Sequence, residues 1–204
     1  MCQNWRNCFG GRTMLIFLIG LIGFLGIHSV HAFMPGFRSG MIAKMGAMPW
    51  KGVYALISIV FFVLMVIGYP GAQASTIYFG TVPEGMKHIN SLLIPIALVL
   101  AVAGSLPRGY IARTLKHPQL VGVKLWALGH LLVNWDLTSF LFFGGFLAWA
   151  VLVRISIKKR PPVAPKAPNI IWDIVAVLAG LALTGWLMMS AHVYFFNVSP
   201  IPGM

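Results

Sequence analysis

The sequence predicts an all-α integral membrane protein, a helical bundle of about six transmembrane helices, and three observations predict it. Hydrophobic residues make up 59% of the 204 residues and charged ones 9%, where a soluble domain carries roughly 25% charged residues. Apolar runs recur along the chain, separated by short stretches rich in Pro, Gly and cations. The cations themselves fall almost entirely on alternate connections. At about 20 residues per span, a chain of this length holds six spans and short loops as one compact unit.

The spans are expected over Leu15–Phe33, Val53–Tyr69, Ile89–Leu106, Pro118–Val133, Leu137–Val153 and Ile170–Phe196. Backbone polar groups have no water to bond inside a bilayer, so each is read as a helix. "MPGFRSG" (34–40), "YPGAQAS" (69–75) and "LPRG" (106–109) read as the breaks after the first three spans. Asn134-Trp135-Asp136 reads as a tight hairpin with Asp136 capping the fifth helix. A Pro- and Lys-rich linker, 156–169, joins the fifth span to the last helix and tail, 170–204. Met14 directly precedes the first apolar run, and residues 1–13 are expected to be a dispensable extension.

Alternating six helices puts Arg38, Lys44, Lys51, Arg108, Arg113, Lys116, Lys124, Arg154, Lys158, Lys159, Arg160 and Lys166 on one side. Arg6, Arg12 and Lys87 remain on the other, so the 15 cations divide 12 to 3. Cationic loops stay cytoplasmic, which places both termini on the outer, periplasmic side of a bacterial inner membrane. The net charge of +12 therefore reads as membrane topology, with the lipid bilayer as partner and no nucleic acid. Nothing in the sequence sets the oligomeric state.

Several chemistries are excluded by what the chain lacks. Its three acidic residues, Glu84, Asp136 and Asp173, all fall near helix ends, so midplane carboxylates for ion coupling are missing. Paired-carboxylate catalysis fails for the same reason. Cys2 and Cys8 form no metal or covalent-haem motif.

Histidine remains. Of six, His88 falls in an outer loop, His192 near the outer end of the last span, and His31 at the inner end of the first. His117 directly precedes Pro118 and so enters the fourth helix, where a headgroup or a backbone contact would equally explain it. His130 lies twelve residues beyond Pro118, about 18 Å into the membrane. A buried imidazole needs a partner. His28 holds the same status on the first helix, beside a ridge of Gly20, Gly23 and Gly26 that permits close approach of a helix or a flat cofactor. Two imidazoles on separate helices, with few carboxylates about, suit haem iron better than zinc or a dimetal centre.

"FLGIHSV" (24–30), "WKGVYALISIV" (50–60) with "GY" (68–69), "LKHPQLVGVKLWALGHLLVNWD" (115–136) and "LFFGGFLAWA" (141–150) together resemble the NnrU family of membrane proteins over residues 14–155. That family is associated with bacterial nitrogen-oxide and denitrification gene sets. It includes the plant and cyanobacterial 15-cis-zeta-carotene isomerase, a haem b enzyme with axial histidines. The resemblance implies that His28 and His130 are axial ligands of a haem b, with His117, of the His-Pro-Gln motif, as a third cofactor-binding position. Its implied role is in nitrogen-oxide metabolism. The alternatives are a haem-dependent isomerase acting on a hydrophobic polyene, and a haem-free assembly or interaction protein. Lys116 stands where the family has Arg, and Trp135 where it has Gly. Along the helices, His28 lies about five residues and His130 about twelve from the inner end, an offset of roughly 10 Å; His117 is the alternative partner in depth.

Overall fold

The computed structural model describes residues 5–160 and 167–196. Its helices are α1 (Trp5–Phe33), α2 (Pro35–Met45), α3 (Ala47–Ala74), α4 (Glu84–Ser105), α5 (Tyr110–Leu115), α6 (Pro118–Val133), α7 (Leu137–Lys158) and α8 (Ile170–Trp186). A π-helical turn, Leu187–Ala191, then leads into α9 (His192–Phe196). Five helical stretches are long and apolar enough to cross a membrane: Gly11–Phe33, Ala47–Ala74, Glu84–Ser105, Leu137–Lys158 and Ile170–Tyr194. The sixth, α6, has 16 residues, or about 24 Å, short of a hydrocarbon core of about 30 Å. The all-α membrane bundle expected from composition is thus what the chain forms, with one span cut short.

The bundle divides into two three-helix halves. In one, α1 and α3 pack along their length and α7 rests on both; in the other, α4 lies between α6 and α8. The halves are joined by α6 against α7, a contact more extensive than that of α7 with α1 and α3. Close approach of α1 to α3 depends on two glycines. A Cβ on Gly20 would overlap the Met65 backbone, and one on Gly68 would overlap that of Phe17. Phe17 and Met65 are buried over those glycines, so large and small residues alternate across an antiparallel pair. Gly23 accepts the Phe61 ring, whereas Gly26 faces open space. Side chains such as Leu56, Ile67 and Leu178 are more than 60% exposed, an apolar exterior suited to lipid.

Three breaks differ from expectation. Pro35 starts α2, at the first position where a missing N–H costs nothing. Pro70 lies inside α3, which continues to Ala74, so the second span outlasts its sequence signal. After "LPRG" the chain forms the short α5 before α6. His88 is within α4 and not in a loop. The helix of the first span also runs back to Trp5. The linker's residues 161–166 and the tail beyond 196 lie outside the described residues.

At the end opposite the basic loops, Asp136 is buried and caps α7 by accepting from the Ser139 N–H at 2.9 Å. The same carboxylate accepts from the Thr76 hydroxyl at 3.1 Å, and Thr76 Oγ1 in turn accepts from the Thr138 N–H. Backbone bonds Phe79 N to Trp135 O and Leu137 N to Ile77 O close the corner. The α6–α7 turn is thereby tied to the segment after α3.

Candidate functional site

Each half of the bundle carries one deeply placed histidine in the same local geometry. His28 Nδ1 lies 2.8 Å from Phe24 O, and His130 Nδ1 lies 2.9 Å from Trp126 O. A carbonyl only accepts, so in both rings Nδ1 carries the proton, and in the neutral ring the lone pair is left at Nε2. This is how a protein orients an imidazole that presents Nε2 to a metal. Each bond is made one turn back along the residue's own helix, so the aim of each ring follows from local sequence.

Aromatic side chains surround both rings. His28 meets Phe24 at 4.2 Å between centroids, Tyr54 at 5.5 Å and Trp149 at 6.3 Å. Trp149 is held by its own N–H, which donates to Ser29 Oγ at 3.1 Å. His130 stacks on Phe143 at 4.4 Å and touches Trp126 at 5.3 Å. Between the two levels, Phe146 contacts both Trp126 (5.3 Å) and Phe24 (5.9 Å). The helix α7 therefore serves as a ruler. His130 is level with Phe143 and His28 with Trp149, six residues apart, or about 9 Å in depth. The offset expected from counting residues is present in the fold.

His117 is elsewhere. It is the N-cap residue of α6 without a side-chain capping bond. Burial, and then the cations of Arg154 and Lys116, hold its imidazole below the ordinary value. Arg154 lies five residues inward of Trp149, so His117 belongs to the basic end and not to the depth of His28. The preceding Lys116 has φ 63 and ψ −40. Its neighbours close a three-residue turn, His117 N to Leu115 O at 2.7 Å, a strained arrangement for a residue with a side chain. His31 is likewise at the basic end, where Arg160 donates to the His31 and Ala32 carbonyls.

His192 lies two residues from the end of the last apolar stretch, Ile170–Tyr194. It follows the π-helical turn, Leu187–Ala191. A π-turn shifts the helical register, and no periodicity in the apolar pattern signals it.

Among the described residues no three His, Cys, Asp or Glu side chains gather as a metal cluster. A haem iron takes fewer protein ligands than such a cluster. The donor type suits that group, two oriented imidazoles flanked by aromatic rings, but about 9 Å of depth and the Phe146 ring lie between them.

The fold and this pair of histidines define a multi-pass α-helical membrane protein whose polar residues within the spans are few and locally bonded. The chain belongs to the NnrU family: the family model, described as NnrU protein, matches residues 16–200. The match continues past 155 through the last helix, which shows no recognisable motif of its own. No curated protein and no solved structure matches the chain.

Proposed function

We propose that this NnrU-family membrane protein binds one haem b through His28 and His130 and serves nitrogen-oxide metabolism. The matched Nδ1–carbonyl bonds carry the first part, because they leave two Nε2 donors on separate helices. Family membership supports the second. A bound haem supplies one-electron chemistry. The chain's own residues orient the ligands and exclude water: Phe24 and Trp149 flank His28, and Phe143 and Trp126 flank His130.

Full-length protein from cells supplied with haem precursor is expected to show a Soret band. His28→Ala and His130→Ala should each remove or reshape it while insertion persists, since losing an imidazole makes a span more apolar. His88→Ala, on the first turns of α4, should leave it unchanged. Absence of Soret absorbance in the wild type would refute haem binding, and a band lost only in His117→Ala would move the ligand to the basic end. Cells lacking the protein should grow more slowly with nitrite as electron acceptor; unchanged growth would count against the metabolic role.

A further inference from the structure

Away from the histidines, Arg108 presents an unmet bonding need. It lies in the turn between α4 and α5, and its Nε is buried with no hydrogen-bond partner among the described residues. Its carbonyl accepts from Asn169 N at 3.1 Å, fixing it at the start of α8. The nearby carboxylate, Asp173, does not pair with it. Both Asp173 oxygens are taken by backbone donors, Tyr110 N at 2.6 Å and Ile111 N at 3.0 Å. The ion pair found among the described residues, Lys87 with Glu84, is at the other end of the bundle. A guanidinium with a buried, unbonded N–H is costly, and the terminal nitrogens of Arg108, which are not among the buried unpaired atoms, can take an acceptor from outside the chain.

The surroundings indicate its kind. Arg113 and Lys116 add two cations on and just after α5. Two shallow, open apolar grooves lie beside this polar point, lined by residues of α4, α5 and α8 and not by Arg108 itself. One, of about 420 Å³, runs between Leu100 of α4 and Tyr110 and Leu115 of α5. The other, of about 310 Å³, is one-sided and lies along Ile170, Asp173, Ile174 and Val177 of α8 alone. A free anion would satisfy the arginine and leave both grooves unused.

We propose that the α4–α5–α8 junction is a binding site for one anionic phospholipid, its phosphate on Arg108 and its acyl chains along the two grooves. Planar guanidinium groups match phosphate oxygens by paired hydrogen bonds. By the charge asymmetry of the loops, this end faces the leaflet whose anionic lipids attract juxtamembrane cations. The short α5 acquires a purpose on this reading: it lines one of the two grooves and carries the outer cations.

Full-length protein reconstituted in nanodiscs of equal phosphatidylglycerol and phosphatidylcholine, then released for native mass spectrometry, reads the site directly. Wild type is expected to retain phosphatidylglycerol preferentially. Arg108→Gln should weaken retention about tenfold, the scale of one lost bond to a charged group. Ile174→Trp, whose side chain faces lipid and would occupy a groove, should also lower it without touching the arginine. Lys159→Gln, beyond the end of α7, should have no effect. Equal retention of the two lipids by wild type, or an unchanged preference in both site variants, would overturn the proposal. Displacement of the lipid by inorganic phosphate alone would overturn its lipid half.

Discussion

Gly68→Leu is expected to separate α1 from α3 and to cost about 3 kcal/mol or more, so that little folded protein accumulates. The new side chain would meet the Phe17 backbone, which cannot rotate aside. Overpacking of ordinary cores costs about 1–3 kcal/mol because side chains share the strain; here a helix axis has to move. Van der Waals contact between closely approaching backbones is a main source of helix association in lipid, and the α1–α3 pair would lose it along its length. Gly20→Leu should behave alike, because its Cβ would strike the Met65 backbone. Gly26→Leu is the control, as nothing lies within 4 Å of its Cβ. Thermal unfolding of the purified variants in detergent measures the difference, and equal midpoints for Gly68→Leu and Gly26→Leu would contradict this packing.

The second large effect is expected at Asp136→Ala, at about 3 kcal/mol. Loss of the α7 cap accounts for roughly 1 kcal/mol. Leaving the Ser139 N–H of that cap buried without an acceptor, together with loss of the Thr76 hydroxyl bond, brings the total to about 3 kcal/mol. Asp136→Asn retains an acceptor oxygen at the position of Oδ1 and should cost less than half as much. A double-mutant cycle with Thr76→Val isolates the Thr76–Asp136 term, since groups sharing one network couple. If Asn proved as damaging as Ala, the hydrogen bonds at Oδ1 would not be what the carboxylate contributes.

Much of this architecture is legible in the order of the amino acids. Hydrophobic run lengths mark the spans because lipid demands them, and Asp136 stands out because an acidic residue before an apolar run is an N-cap signature. The glycine ridge at 20, 23 and 26 signals close packing, although only neighbours in space reveal that Gly26 has none. What stays hidden is governed by tertiary contact. Pro70 should end a helix, yet α3 has one more turn, whose residue Ala72 packs in the core and accepts from the Thr138 hydroxyl. The interfacial helices α2 and α5 lack a buried stripe, so they carry no apolar period to read. At the site, residue counting conveys the depths of His28 and His130. It does not convey the Nδ1 bonds that orient them, nor the π-helical turn that precedes His192.

The two halves of the bundle are not successive stretches of chain. One half takes α1, α3 and α7, while the other takes α4, α6 and α8, so each waits for a helix that emerges after members of the other. During synthesis the α1–α3 hairpin enters the membrane with its α7-facing surface bare until residue 158 has been made. The α4–α6 pair remains equally incomplete until α8 follows. No cut between loops yields a self-sufficient piece: a chain ending after α7 completes the first half and leaves α4 without α8. Biogenesis must therefore shelter two unfinished surfaces at once, and a stalled or clipped product offers quality-control proteases an apolar helix face that the full-length protein covers.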